Sequence, residues 1–288
     1  MQVFVQLLIT GIAMGFIYAL VGIEYTLIWN ATGLLNFSHD KFILFGAYMF
    51  AGTYVLGLGL PPILAILFTI FTMFLLGIVS AFVIFNPLSK LSTNLFAVIG
   101  TVILGRIMIE SVRLIWGPLP FTLDNFMRGS IHFGSVVVSK AHLVIIVVCS
   151  LITAGLQVFF KATKTGKAMR CVSENKTAAS LMGINVPMNI AFTIGLSAIV
   201  CATIGILVIP IFNVELQMSS MIGLKGFASG VIGGFGYLPG AIVGGILLGV
   251  VEIFGSMLIP SVYKDCLSFV LLIIFLLVRP SGILGNKR

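Results

Sequence analysis

The chain has 288 residues, 59% of them hydrophobic and only 8% charged, with a net charge of +8. So few charges cannot cover that much apolar surface in water, which excludes a soluble globular domain. The basic residues gather in one loop and the C-terminal tail without aromatic–basic interleaving, which excludes a nucleic-acid partner and leaves membrane orientation as their role.

A helical span takes roughly 20 residues, so the length allows about eight or nine spans. The apolar runs are 4–29, 41–58, 62–84, 95–115, 141–160, 190–211, 226–236, 240–258 and 262–278. They are long and do not alternate in polarity, so the expected fold is all-α rather than a barrel. Residues 1–288 form one polytopic transmembrane helical bundle, with broken or re-entrant helices where the pattern is interrupted. No basic residue precedes Lys41, so the first run lacks the charged start of a signal peptide and is expected to remain as a span. Lys90, the basic stretch from Lys161 to Lys176, and the tail with Arg279, Lys287 and Arg288 belong in the cytoplasm. That orientation puts the N-terminus and the segment 116–140 outside. Arg113, Arg128 and Lys140 near that segment run mildly against it and are outweighed.

Within the first run stands Glu24. An ionised carboxylate there is costly unless paired. It pairs with Lys41, is protonated, or faces a wet cavity; pairing is favoured because unpaired charge in lipid is so unfavourable.

The first interruption is Thr32–Lys41, TGLLNFSHDK, which joins two apolar runs with no length for an exposed loop. Asn36, Ser38 and His39 either supply hydrogen bonds to the freed backbone or line a polar passage. Ser38, His39 and Asp40 are not a hydrolytic triad, since consecutive helical residues point about 100° apart and cannot converge. With no convergent nucleophile or metal set elsewhere, the chain is not expected to be an enzyme.

Further along, Arg106 and Glu110 stand four apart and are expected to neutralise each other on one helical face. His132 and His142 flank the external segment and read as solvated. No metal site is expected, and none of the four cysteines, Cys149, Cys171, Cys201 and Cys266, stands at ligand spacing. Cys149 and Cys201 read as small hydrophobes.

The most informative stretch is 161–187, KATKTGKAMRCVSENKTAASLMGINVP, which holds five of the sixteen basic residues. Ala168, Cys171, Val172, Ala178 and Met182 recur at helical spacing, Gly183 stands where a helix C′ residue belongs, and Pro187 follows. This predicts one short amphipathic helix, 166–183, displayed in the cytoplasm for a partner. Arg170, Glu174, Asn175, Ala178, Leu181 and Gly183 are its expected contact positions.

The second interruption is Gly223–Gly249, GLKGFASGVIGGFGYLPGAIVGGILLG. Glycine costs about 1 kcal/mol against alanine in a helix interior, so this density implies close packing or half-length helices. Interrupted segments of this kind mark the substrate path in transporters, which nominates Gly226, Gly230 and Gly233 beside Asn36, Ser38 and His39. Glu252 lies amid this packing and is expected to meet a neighbouring helix or another subunit.

Motifs spread over the whole chain carry a family resemblance. They are Gly11–Leu20 (GIAMGFIYAL), Gly33–His39 (GLLNFSH), Ile115–Pro118 (IWGP), Gly166–Arg170 (GKAMR), Ala178–Asn185 (AASLMGIN), Gly233–Ala241 (GGFGYLPGA) and Arg279–Gly285 (RPSGILG). In this order and spacing the chain resembles the LivH-type permease subunits of bacterial ABC importers for branched-chain amino acids. The resemblance implies a multi-pass protein of the bacterial inner membrane, working with a second, LivM-like permease subunit, two cytoplasmic ATPases and an external substrate-binding protein. It makes 161–187 the ATPase-coupling segment and hydrophobic amino acids the substrates, with urea, amides and other small polar solutes as the range of related importers. The chain departs from the family's usual pattern at Glu24, at Asp40-Lys41 after the histidine, and at Asn175.

The chain has no GxxxxGK[ST] phosphate loop. ATP and Mg are therefore expected on the partner ATPases, with no cofactor on this chain. The rival reading is a stand-alone secondary transporter with Glu24, His39 or Glu252 as a proton relay, which would have no need of an exposed coupling helix.

Overall fold

The computed structural model describes residues 2–89, 94–123, 126–127, 129–133, 136–258, 260 and 263–285. Lys90, Arg128, Lys287 and Arg288, invoked for orientation, lie outside them.

Each of the nine apolar runs overlaps a helix. α1 (Gln2–Thr32) is followed by the break and by α2 (His39–Tyr48), which widens into π-type winding over Met49–Gly57. α3 (Pro62–Ser80) passes through similar winding into the single turn α4 (Asn86–Leu88), and α5 (Asn94–Trp116) follows. After α6 (Lys140–Ala162) come two short helices, α7 (Lys164–Glu174) and α8 (Lys176–Leu181), then α9 (Val186–Val208). α10 (Ser220–Gly233), α11 (Leu238–Gly255) and α12 (Lys264–Val278) complete the bundle. Among the described residues, six of these stretches are long and apolar enough to cross a bilayer. α10 has 14 residues, about 21 Å at 1.5 Å per residue, short of a core roughly 30 Å thick. It is the half-length helix expected from the glycine run.

Burial orders the bundle. α1 and α9 are interior, with buried residues on every face and no polar stripe, as a fully enclosed helix should be. α3, α5, α6 and α12 are peripheral and turn large apolar side chains outward, among them Ile63 and Leu277. In a membrane protein those side chains face lipid.

α1 and α11 approach through small residues. Gly11 and Gly15 of α1 lie against Gly245 and Gly249 of α11, two GxxxG pairs facing one another. A Cβ on Gly15 would fall 2.7 Å from the Ile246 Cα, so only hydrogen permits the approach.

The segment 116–140 carries a hairpin, in which β1 (Ser130–Phe133) pairs antiparallel with β2 (Val136–Ser139), with Ser130 opposite Ser139. Two expectations need correction. The cytoplasmic helix is not continuous, because Asn175 is extended at φ −157° and its side chain caps Ala178 N–H, starting a second helix. Glu110 pairs with Arg113, at 3.2 Å, rather than with Arg106, because three residues also bring side chains onto one face.

Candidate functional site

At one end of the bundle sits the segment 161–187, expected from the sequence to meet a partner. Thr163 caps α7 through Gly166 N–H, and Met169 and Val172 turn inward. Arg170, Glu174, Asn175 and Ala178 are exposed, and Leu181 and Met182 are more than 80% exposed. Large apolar groups held out at a helix end invite a partner. Gly183 ends α8 at φ +81°, with Gly183 N–H donating to Ser180 O and Ile184 N–H to Ala179 O, the Schellman pattern expected from its place in the sequence.

Lys176 joins this segment to the bundle. Its Nζ donates to Thr32 O, 2.6 Å away, the last carbonyl of α1. Partial burial lowers the lysine's pKa below its ordinary value. The contact links α8 to the start of the break.

The break begins with Gly33 at φ +73°. The chain then turns back along α1, so that His39 reaches Glu24, eight residues before the helix end and about 12 Å along its axis. Asn36, Ser38 and His39 are all buried. Asn36 Oδ1 accepts from Ser38 N–H at 3.0 Å and Ser38 Oγ at 2.6 Å, while Phe37 N–H donates to Thr101 of α5.

Glu24 does not pair with Lys41. Its Oε2 lies 2.7 Å from His39 Nε2 and accepts from Cys201 Sγ at 2.9 Å. Lys41 instead bonds Asp40 and Ser220, because α2 turns those groups away from α1. Cys201 is thus a thiol donor in a polar triad and not merely a small hydrophobe. The ligand atoms of Glu24, His39 and Cys201 lie within 4.8 Å of one another, a donor set of the kind a borderline-soft metal ion uses. Hydrogen bonds already join all three, and Tyr25 packs on the His39 ring at 4.6 Å. Glu24 Oε1 and Asn36 Nδ2 have no protein partner among the described residues.

The nominated glycines line the contact of α10 with its neighbours. Gly226 abuts Val21, Gly230 faces Gly22 and Gly233 abuts Gly240. Ser229 Oγ bridges α10 to α1 through Tyr18 O at 2.7 Å. Gly226 and Gly230 therefore meet α1, the helix whose Glu24 receives His39 from the break, whereas Gly233 meets α11.

The other end of the bundle holds a cluster that sequence reading missed. Lys225 of α10 lies 2.6 Å from both Glu252 of α11 and Asp265 of α12. Lys225 and Glu252 are buried, and Asp265 is 30% exposed. The Lys225 ammonium also stands 5.6 Å over the Tyr18 ring. Beside the cluster lies a cavity of about 300 Å³, which His142 and Lys264 also border. His142 is accordingly half-buried rather than solvated. A second cavity, of about 420 Å³, lies at the opposite end between α1, α6 and α7.

Long apolar helices around a glycine-packed central helix, with ionisable groups sealed inside, define a polytopic helical membrane protein. Residues 7–276 match the family described as branched-chain amino acid transport system, permease component, and the chain belongs to that family. It is 32% identical to the high-affinity branched-chain amino acid transport permease BraD of Pseudomonas aeruginosa, covering 99% of this chain and 97% of that one. It is 31% identical to the corresponding permease LivH of Escherichia coli, over 99% and 96% of the two chains. A probable branched-chain amino acid permease of Methanocaldococcus jannaschii is 24% identical over 92% of this chain. No solved structure matches.

Proposed function

We propose that this chain is a translocating subunit of an ABC importer for branched-chain amino acids in the bacterial inner membrane. Its partners are a second, LivM-like permease subunit, two cytoplasmic ATPases that bind ATP and Mg, and an external binding protein. The observation that carries this reading is the α7–α8 segment: exposed, apolar-tipped, and tied by Lys176 to the end of the central helix. A self-contained transporter has no use for such a handle. Near full-length likeness to permeases named for branched-chain amino acid transport supports the substrate class.

Asn36, Ser38 and His39, with Gly226, Gly230 and Gly233, are assigned the inner stretch of the path. They are sealed in this conformation, so solute passes when α1 and α10 part. The unpartnered Asn36 Nδ2 and Glu24 Oε1 would then be free to meet it or its water. Affinity purification of the chain from its host tests the assembly, and leucine uptake by the reconstituted complex tests the substrate. Recovery of the chain alone, or ATP-independent uptake, would overturn the reading.

A further inference from the structure

Two features of the Lys225 cluster exceed what a structural ion pair requires. One lysine balances one carboxylate, yet Lys225 contacts both Glu252 and Asp265, leaving a surplus negative charge on the cavity wall. Lys264 supplies the balancing positive charge, also on the cavity wall. The cavity thus presents two positive and two negative groups, neutral in sum but with both signs within reach. Met14, Met218, Met221, Ile222 and Ile253 form an apolar stretch of the wall, beside Thr10, Tyr18 and His142. Methionine is flexible and adapts to differently branched partners.

The topology sets the cavity's direction. Lys225 is in the second turn of α10, Glu252 in the last turn of α11, Asp265 in the first turn of α12 and His142 in the first turn of α6. The turns of α6, α11 and α12 mark the bundle end opposite the Lys176–Thr32 contact, and Lys225 reaches toward them from the start of the half-length α10, over Tyr18 near the middle of α1. With the coupling segment in the cytoplasm, the cavity opens toward the outside.

We propose that this cavity is the outer substrate site and takes one hydrophobic amino acid as its zwitterion. The ligand carboxylate meets Lys225 and Lys264, its ammonium meets Glu252 and Asp265, and its side chain lies on the methionine and isoleucine wall. A neutral zwitterion exchanges one set of charge pairs for another. A solute of net charge would leave an unpaired ion in a low-dielectric site, so the cavity discriminates against it. The volume, about 300 Å³, is at the small end for ligand sites and suits one small molecule. This site rests on the reading of the chain as an amino-acid permease subunit.

The test is uptake by the complete importer, with copurification of the other subunits reporting that each variant folds. Met221→Trp fills the cavity from a half-exposed wall and should lower leucine uptake roughly tenfold or more, with alanine affected less. Asp265→Asn removes the surplus carboxylate while leaving Lys225 paired with Glu252, and should raise the half-saturating leucine concentration about tenfold. Excess urea should not compete. If the wild-type complex takes up leucine and both assembled variants match it, the cavity is not the site and the assigned function stands. Effective competition by urea would also overturn the zwitterion reading. If the wild-type complex takes up no hydrophobic amino acid, the function fails and the site falls with it. Should Met221→Trp not assemble, Asp265→Asn decides alone.

Discussion

The Glu24 carboxylate lies 2.7 Å from His39 Nε2, which ties the last third of α1 to the first residue of α2 across a break of six residues. Both side chains are fully buried, so each is the other's means of tolerating the membrane interior. The pair holds the returning chain at a fixed depth along α1.

Breaking that pair from one side should be costly. Glu24→Leu or His39→Leu leaves a buried polar group without its partner and should destabilise the protein by about 3–5 kcal/mol. The double leucine variant should lose less than the sum of the two. Thermal unfolding of the purified chain measures all three, and strict additivity would show that the two residues do not act as a pair. Cys201→Ala removes one donor to the same carboxylate and should cost about 1.5–3 kcal/mol in the same assay.

The break, the half-length α10 and the Gly183 terminus were all legible in the sequence, because each depends on local pattern. Pairing choices were not. Lys41 is closer to Glu24 in the chain than Cys201 is, but helix direction decides which side chain arrives. Lys225, Glu252 and Asp265 come from three helices, and only their packing brings them together. Two missed features did have signals. Asn175 followed by Lys-Thr-Ala is a helix N-cap pattern, and Gly11/Gly15 with Gly245/Gly249 are GxxxG pairs.

The glycine contact should be intolerant of added volume. Gly249→Val and Gly15→Val would drive side chains into the facing backbone, while at Gly155 a Cβ would meet nothing within 4 Å, so alanine should be accepted freely there. Loss of at least about 1–3 kcal/mol is expected at the first two positions. Melting temperature in detergent and yield of assembled complex give the comparison. Equal behaviour of all three variants would mean the α1–α11 approach is looser than described.

Orientation has its own measurement. In a cysteine-free background, cysteine placed at Lys164 should be shielded in intact cells from an impermeant reagent, and cysteine at His132 on β1 should react. Both native residues are exposed, so reactivity reports sidedness rather than burial. The reverse labelling pattern would invert the bundle and turn the Lys225 cavity toward the cytoplasm.

Coupling separates into contact and transmission. Ala178 is exposed on α8 and small, so Ala178→Arg should block ATPase docking, abolishing substrate-stimulated ATP hydrolysis and copurification of the ATPase while the chain still inserts in the membrane. Lys176→Met acts differently. It removes the bond to Thr32 O without altering the exposed face of Leu181 and Met182. The ATPase should still copurify, but stimulation by substrate should fall, because α8 can then move without pulling on the end of α1. A charge-assisted hydrogen bond contributes about 1.5–3 kcal/mol, which converts to roughly ten- to hundredfold weaker coupling at about 1.4 kcal/mol per tenfold. Lys176→Arg, which keeps a donor and a positive charge, should restore part of it. If Lys176→Met leaves stimulated hydrolysis unchanged, the signal reaches the break by another contact, and the inward-facing Met169 and Val172 on α7 become the residues to vary next.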